Sequence, residues 1–338
     1  MFRKVAVLGA GTWGTALAIQ LAENDNEVTL WSKLPREIEA LRADRKNVPN
    51  LPDAVLQDSV ILTTDLEEAC KDKDLIVFAV ASPYVRSTAE LAKPYIPDGQ
   101  VIVNVAKGIE ESTMMTLTEV ISDVIPGAET GVLSGPSHAE EVGRDIPTAV
   151  VVGAKNHETA VMIQDTFMND YFRIYINPDV IGIELGGSLK NVIALAAGVV
   201  DGLGLGDNTK ADLMTRGLTE ISRLGVAMGG NLETFLGLSG MGDLIVTCTS
   251  LHSRNHNAGY LIGKGYTMQE AMDEVKQVVE GVYSAKAALL LARKYNVEMP
   301  IVEQVNKVLF EGKTAQEALA DLFTRERQEE VMWEEEKK

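Results

Sequence analysis

One lysine lies in an apolar stretch that otherwise carries no cation. Lys190 is the only lysine or arginine in positions 181–200. Burial lowers the pKa of a lysine amine, and a lysine with a lowered pKa can act as a general acid or base near neutral pH. A structural salt bridge to a carboxylate such as Glu184 or Asp243 is the alternative interpretation.

Three further polar segments follow predicted strands or helices. Lys107 comes directly after a predicted strand, at the edge where ligands of open α/β sheets bind, so its amine is a candidate contact for an anion or a carbonyl. Small residues after the next strand, including Gly135 and Ser137, would let a ligand approach backbone N–H groups. A solvated lysine and a bare turn explain these two segments as well. Arg254 can hold a phosphate through two hydrogen bonds, although a Ser-Arg-Asn tripeptide alone is a weak signal.

A glycine-rich hexapeptide follows the first predicted strand and precedes a helical run. Gly9, Gly11 and Gly14 match the G-x-G-x-x-G spacing of dinucleotide-binding loops. In such loops the first glycine permits a tight turn, the second admits the pyrophosphate, and the third lets the helix pack on the strand. Free N–H groups at the helix start then bind the phosphates. A glycine turn without a ligand is the alternative.

The end of the second predicted strand bears on cofactor selectivity. NAD-selective loops carry an Asp or Glu there, about 20 residues after the glycines, to bind the ribose hydroxyls. This sequence has Ser32 and Lys33 at that point and no carboxylate. A lysine favours a 2′-phosphate, so the sequence predicts use of NADP(H), or of both NADP(H) and NAD(H).

Composition excludes several classes of function. The 338 residues carry a net charge of −18, which disfavours binding to nucleic acid or anionic lipid. Two cysteines far apart and four histidines without ligand spacing predict neither a disulfide framework nor a metal site. The longest apolar run, Val192–Val200, is shorter than the roughly 18 residues that a membrane helix needs. We therefore expect a cytoplasmic protein with no integral membrane segment.

The first half alternates short β-branched runs with helical patterns, which is typical of a parallel sheet wrapped by helices. The predicted strands are Lys4–Leu8, Glu27–Trp31, Val60–Thr63, Leu75–Ala79, Val101–Asn104, Thr130–Leu133, Thr148–Val152 and Phe172–Ile176. The predicted helices among them are Thr15–Glu23, Arg36–Ala43, Thr113–Ile125 and Glu158–Met168.

The second half reads as all-helical, beginning after the Asn177-Pro178 pair. Its predicted helices are Val180–Val200, Ala211–Met228, Met268–Gln277, Ser284–Tyr295 and Ile301–Phe310. The expected domains are therefore residues 1–178, a nucleotide-binding domain, and residues 179–338, a helical domain. The charged tail 325–338 is expected to be a solvated or frayed helix end.

Several motifs in order resemble the bacterial NAD(P)-dependent glycerol-3-phosphate dehydrogenase family. The match runs from the glycine loop to about Leu322 and is carried by VLGAGTWGTALA, VAKGIE, LSGPSHAEEV, GGSLKNVIALAAG, TRGLTEISRLG, GLSGMGDLIVTCTS, SRN and QVVEG. The resemblance implies a doubly wound Rossmann-type α/β domain followed by a helical domain of the 6-phosphogluconate dehydrogenase C-terminal type, with the active site between them. The sequence departs from the family at His138, where Phe is frequent, and at Lys33, where His or Arg is common.

The resemblance also implies the roles of individual residues. Lys190 corresponds to the family's proton acceptor. The implied contacts to sn-glycerol 3-phosphate are Lys107, Gly135, Ser137, Lys190, Asp243, Ser253, Arg254 and Asn255. The implied cofactor contacts, with the glycine loop, are Gly9, Gly11, Thr12, Trp13, Gly14, Lys33, Lys107, Ala139, Arg254, Val278 and Glu280.

The activity so implied is the reversible reduction of dihydroxyacetone phosphate to sn-glycerol 3-phosphate with NADPH or NADH, which supplies glycerophospholipid synthesis. A homodimer is implied as well. Two other hypotheses stay open at this point: a related two-domain dehydrogenase acting on a hydroxy acid, and a non-catalytic NADP sensor. A sensor needs no proton donor such as Lys190 in an apolar helix, which favours the enzyme.

Overall fold

A computed structural model describes residues 2–48, 51–327 and 330. The first half contains eight strands: β1 (Lys4–Leu8), β2 (Glu27–Trp31), β3 (Ile61–Thr63), β4 (Leu75–Phe78), β5 (Val101–Asn104), β6 (Glu129–Ser134), β7 (Thr148–Ala154) and β8 (Phe172–Ile176). Its helices are α1 (Thr12–Glu23), α2 (Pro35–Asp44), α3 (Leu66–Cys70), α4 (Val85–Ala92), α5 (Leu117–Val124), α6 (Ala139–Val142) and α7 (His157–Phe167).

The strands form one sheet in the order β3-β2-β1-β4-β5-β6-β7-β8. The central strands are buried on both faces, as the apolar run Val5–Leu8 shows, because helices cover the sheet. Strand order reverses between β1 and β4, and in open α/β sheets ligands bind outside the carboxyl ends of the strands at such a switch point. The predicted α/β class of this half is confirmed.

One pair of strands contradicts the prediction of a parallel sheet, because β6 and β7 run antiparallel. The connection between them, 135–147, contains a helix of four residues, α6. A parallel crossover usually requires a longer connection with a full helix on the sheet face. The chain instead returns from the edge at which β6 ends, and β7 therefore runs in the opposite direction.

The predicted helix Thr113–Ile125 begins four residues late, at Leu117. Thr116 and Glu119 form a capping box that fixes this start, and Met114 in the preceding loop has a φ of +61°. The predicted helix Thr15–Glu23 begins early, because Thr12 already follows the extended N-cap Gly11. The predicted helix Met268–Gln277 ends at Val275, since the next residue adopts left-handed backbone.

The second half is all-helical, as predicted. It comprises α8 (Val180–Gly202), α9 (Asp207–Ala227), α10 (Leu232–Phe235), a π-helical turn Leu238–Gly242, α11 (Asp243–Thr249), α12 (Arg254–Gly263), α13 (Met268–Val275), α14 (Glu280–Tyr295), α15 (Pro300–Phe310) and α16 (Ala315–Phe323). Sequence analysis did not predict α10, α11, α12 or α16. The tail 325–338 lies largely outside the described residues.

Helix α8 is the core of the helical half, and α9, α11, α12 and α14 all pack against it. By length and apolar composition α8 alone, or a bent pair spanning 232–263, would pass as a membrane helix. However, 83% of the most apolar window of α8 is buried inside the protein. Its apolar character is therefore explained by packing, and it delivers Lys190 to the junction with the sheet.

Candidate active site

Asp243 binds two lysines that come from opposite halves of the chain. Its Oδ1 lies 2.8 Å from Nζ of Lys190 and its Oδ2 lies 2.7 Å from Nζ of Lys107. The Lys107 amine also donates to the carbonyl of Gly135 at 3.0 Å and lies 3.5 Å from Oγ of Ser137. Five of the predicted substrate residues are thus brought into one hydrogen-bonded cluster.

Each member of this cluster is held by the element that carries it. Lys107 follows β5, and Gly135 and Ser137 follow β6, so the sheet presents all three at its carboxyl edge. Lys190 lies near the middle of α8, and Asp243 is the first residue of α11. The side chains of Asp243 and Lys190 are 1% and 7% exposed, so solvent does little to screen their attraction.

Thr247 belongs to this cluster although sequence analysis did not name it as a site residue. Its Oγ1 accepts from Nζ of Lys190 and donates to the backbone carbonyl of Asp243. Thr247 follows Asp243 by four residues on α11, so both side chains lie on one face of that helix. That spacing was the available signal, but it was informative only once α11 was known to be a helix.

The cluster shifts the pKa values of its two buried members. Burial lowers the pKa of Lys190 to about 8, opposed by the charge of Asp243 and assisted by repulsion from Lys107. Burial alone would raise the pKa of Asp243, but both lysines outweigh it and hold that pKa below its usual range. The predicted lowering of the Lys190 pKa is confirmed. The predicted alternative, an ion pair with Asp243, is also present, whereas Glu184 is bound by Thr118 instead.

A second network lies next to Lys190 and reaches both halves. Asn191 accepts from Nδ2 of Asn255 at 3.0 Å, and Oδ1 of Asn255 accepts from the N–H of Gly281 at 2.8 Å. Glu280 accepts from the N–H of Ser82 at 3.4 Å and from Asn191 at 3.5 Å. Burial raises the pKa of Glu280, partly offset by Arg254. The Ser82 contact, 198 residues away in sequence, had no signal in the sequence.

The predicted phosphate segment opens α12. Ser253 is the N-cap, and its Oγ accepts from the N–H of His256 at 3.2 Å. Arg254 is exposed, and no ion pair engages it among residues 2–48, 51–327 and 330. Both polar atoms of the Asn255 side chain are already engaged by protein groups. Arg254 and the first N–H groups of α12 are therefore the candidates in this segment for binding an anion.

The glycine loop has the geometry that a dinucleotide requires. Gly9 has a φ of +123°, and a Cβ there would lie 2.7 Å from the backbone of Ala79. A Cβ on Gly14 would lie 1.8 Å from the carbonyl of Gly9, whereas one on Gly11 would meet nothing within 4 Å. No side chain caps the first turn of α1, so its N–H groups are free for a pyrophosphate. The residues present therefore fit this group.

At the end of β2 the structure adds a contact that the strand end itself did not indicate. Ser32 and Lys33 follow the strand as predicted, and Lys33 is exposed. A carboxylate is nevertheless present, because Glu37 on α2 accepts a hydrogen bond from Oγ of Ser32 at 2.5 Å. The contact had no signal at the strand end, because the carboxylate comes from the following helix.

The remaining predicted cofactor residues lie on three separate segments of the chain. Thr12 and Trp13 occupy the first turn of α1, and Ala139 is the first residue of α6. Val278 is half-buried between α13 and α14.

The part of the chain that the structure describes contains neither a candidate metal site nor a reactive thiol. No group of three or more His, Cys, Asp or Glu side chains there is arranged to hold a metal ion. Cys70 and Cys248 are both buried, and burial raises the pKa of each thiol to about 12. A thiolate nucleophile is therefore disfavoured.

The fold is a Rossmann-type sheet with an open glycine loop, joined to helices that bring a lysine of lowered pKa to the carboxyl edge of the sheet. Together these features define a dinucleotide-binding class of protein with a buried lysine–aspartate pair between its two halves. Comparison with models of protein families identifies one family within that class. The N-terminal model of NAD-dependent glycerol-3-phosphate dehydrogenase matches residues 4–160, and the C-terminal model of the same family matches residues 179–320. The chain belongs to the NAD-dependent glycerol-3-phosphate dehydrogenase family.

Individual relatives are similar to this chain over nearly its full length. The glycerol-3-phosphate dehydrogenase [NAD(P)+] of Agathobacter rectalis is 58% identical over 96% of both chains. That of Fusobacterium nucleatum is 54% identical over 97% of this chain and 98% of its own. The crystal structure of glycerol-3-phosphate dehydrogenase from Coxiella burnetii is 37% identical, has a TM-score of 0.92, and aligns over 96% of this chain and 99% of its own.

Proposed function

We propose that this protein catalyses the reversible reduction of dihydroxyacetone phosphate to sn-glycerol 3-phosphate with NADPH or NADH, and that it supplies glycerophospholipid synthesis. The observation that carries the proposal is the buried contact between Lys190 and Asp243, with Lys107 on the second carboxylate oxygen. The family membership agrees with it. The bound nicotinamide supplies or accepts the hydride at C2 of the substrate.

Lys190 is the acid and base of the proposed reaction. With a pKa of about 8, its amine is substantially protonated at neutral pH yet can lose a proton at low cost. In the reduction it donates a proton to the oxygen that develops on C2, and in the oxidation it removes the proton from the C2 hydroxyl. Thr247 and Asp243 hold the amine in position for both directions.

Lys107 and Asp243 set the electrostatics of the proposed site. Two ammonium groups share one carboxylate. The cluster therefore carries a net positive charge at the carboxyl edge of the sheet. This charge stabilises negative charge on the substrate oxygen as the carbonyl is reduced. It also explains how a chain of net charge −18 attracts an anionic substrate.

The substrate phosphate is proposed to bind at the start of α12. Arg254 can contact it through two hydrogen bonds, and because Arg254 is the first residue of the ten-residue helix, the N–H groups of the first turn are close by. Ser253 contributes by fixing the helix start. Asn255 donates a hydrogen bond to Asn191, the residue next to Lys190. It therefore fixes the phosphate-binding segment relative to Lys190.

The wider assignments follow the same proposal. Residues 1–178 form the cofactor domain and residues 179–338 the substrate domain, a division supported by the change from strands to helices between Ile176 and Val180.

We assign the protein to the cytoplasm. We also propose a homodimer, for which exposed apolar side chains on α10 and α11, such as Leu232 and Ile245, offer a surface. Light scattering of the purified protein tests the dimer.

The test is a spectrophotometric assay at 340 nm with dihydroxyacetone phosphate, run in parallel with NADPH and NADH. The proposal predicts that at least one cofactor is oxidised and that sn-glycerol 3-phosphate accumulates. A 2-keto acid of similar size, which carries a carboxylate in place of the phosphate, serves as the comparison substrate. Turnover of the keto acid alone contradicts the proposed substrate, and cofactor binding without any turnover supports the sensor hypothesis.

A further inference from the structure

A carboxylate from α2 lies at the end of β2. Ser32, the first residue after the strand, is only 4% exposed, and its Oγ donates to Glu37 at 2.5 Å. The same Oγ accepts from the N–H of Leu34 at 3.1 Å, so the serine is fixed from two sides. Glu37 is therefore held against the strand end instead of extending freely into solvent.

The end of β2 is the position at which dinucleotide-binding folds distinguish their cofactors. The strand lies directly beside the glycine loop, because the N–H of Gly9 donates to the carbonyl of Trp31 at 2.9 Å. An acidic residue at this point accepts hydrogen bonds from the ribose hydroxyls, whereas a cation there binds a 2′-phosphate. In this chain a carboxylate on α2, that of Glu37, accepts a hydrogen bond from the first residue after the strand, Ser32.

Two cations on the same segment would attract the 2′-phosphate that the carboxylate repels. Lys33 and Arg36 are both exposed, and neither forms an ion pair within the described ranges 2–48, 51–327 and 330. Both can move toward a 2′-phosphate, since long side chains on a surface are adjustable. Glu37, in contrast, is half-buried and anchored, so its charge stays in place whichever cofactor binds.

We propose that Glu37, positioned by Ser32, is a specificity determinant that favours the ribose 2′-hydroxyl of NAD(H) and opposes the 2′-phosphate of NADP(H), against the attraction of Lys33. The inference rests on the proposed function only in that the chain binds a nicotinamide dinucleotide at its glycine loop. The balance between one anchored carboxylate and adjustable cations then sets the preference between the two cofactors.

The test measures dissociation constants of NADH and NADPH by fluorescence titration in the absence of substrate. Glu37→Gln keeps the size of the side chain and removes its charge, and it should shift the preference toward NADPH by about tenfold. Lys33→Gln should shift the preference toward NADH. Glu39→Gln, an exposed carboxylate two residues further along the same helix, is the matched control and should leave the preference unchanged.

The Ser32 clamp is tested separately, because Glu37 also helps to fix the start of α2. Ser32→Ala leaves the carboxylate but releases it, so the preference should move in the same direction as in Glu37→Gln and by less. An unchanged preference in Glu37→Gln overturns the inference, as does an equal shift in Glu39→Gln. If Glu37→Gln fails to fold, Ser32→Ala decides alone. If the unaltered protein binds neither cofactor, the proposed function fails together with the inference.

Discussion

Lys190 on α8 and Asp243 on α11 form a buried ion pair, with 2.8 Å between Nζ and Oδ1. The pair is unusual in that its carboxylate also binds Lys107 from the other half of the chain. Breaking a buried pair normally leaves an uncompensated charge, which destabilises a protein strongly. Here the pair also sets the protonation equilibrium of the lysine proposed to do the chemistry, so stability and activity depend on the same contact.

Replacing Asp243 by Asn should lower the turnover number and shift its pH dependence. Without the carboxylate, burial and repulsion from Lys107 lower the pKa of Lys190 further, so less of the amine is protonated at neutral pH. We expect the turnover number for reduction to fall by about 100-fold. The pH above which reduction slows should also move below its position in the unaltered enzyme. Steady-state rates across pH measure both effects.

The control for that variant is Asp212→Asn, which removes an exposed carboxylate paired with Arg216 on α9. It should leave turnover and its pH dependence unchanged, because exposed pairs contribute little. An Asp243→Asn enzyme whose pH profile matches that of the unaltered protein would show that Asp243 does not set the protonation of Lys190.

The two directions of the reaction should respond to pH in opposite ways. Below about pH 8 Lys190 is mainly an ammonium ion and can donate a proton, so reduction should be fast there and slow as pH rises through about 8. Oxidation needs the neutral amine and should accelerate over the same interval. The measurement is the turnover number in each direction at saturating substrate. Parallel profiles in the two directions would exclude Lys190 as the titrating group.

Two glycines of the same loop should respond differently to the same substitution. Gly14→Ala places a Cβ 1.8 Å from the carbonyl of Gly9, so we expect a loss of at least about 3 kcal/mol in the free energy of unfolding, or no folded protein. Gly11→Ala meets nothing within 4 Å and should keep its stability within about 1 kcal/mol.

Gly11→Ala should nevertheless weaken NADH and NADPH binding by about tenfold or more, because the methyl group occupies space that the pyrophosphate needs. Urea unfolding and cofactor titration together separate the two effects. Unimpaired cofactor binding in a folded Gly11→Ala protein would count against the loop as the pyrophosphate site.

Glu220 should make stability depend on pH. It is buried, and its carboxyl accepts the N–H groups of Ile301 and Val302 at the start of α15. Burial raises its pKa from 4.5 to about 7. The stability it contributes is therefore complete below its unfolded pKa and is lost as pH rises through about 7, by about 3 kcal/mol in total.

Glu220→Gln keeps an acceptor for the helix start and removes the titration. Above pH 7 this variant should be more stable than the unaltered protein, and the difference should vanish near pH 4.5. Urea midpoints at pH 5 and pH 8 measure it, with the exposed Glu274→Gln as control. An unaltered protein whose stability does not fall over this interval would contradict the account of Glu220.

The fold was predictable from sequence where one local signal decided the structure. The run Val5–Leu8 followed by Gly9 and Gly11 is sufficient to predict a strand, a phosphate loop and a helix, because each requires residues adjacent in sequence. The direction of β7 was not predictable in the same way. It depends on the length of α6, and a four-residue helix has little periodicity to detect.

The site was predictable residue by residue but not as a geometry. Lys190 stood out because it is a lone cation in an apolar helix. That Asp243 would bridge Lys190 and Lys107 required the fold, since the three residues lie on α11, on α8 and after β5. The contact between Glu37 and Ser32 was missed because the carboxylate comes from the following helix and not from the strand end that the motif describes.

The most direct test of the central claim is the activity of Lys190→Met with dihydroxyacetone phosphate, measured beside the exposed Lys155→Met as control. Methionine keeps the length and apolar stem of lysine while it removes the amine. The account predicts that turnover falls by about 1,000-fold or more in both directions, while NADPH and NADH bind with nearly unchanged affinity. A Lys190→Met enzyme that is folded, binds cofactor and turns over at a near-normal rate would contradict it.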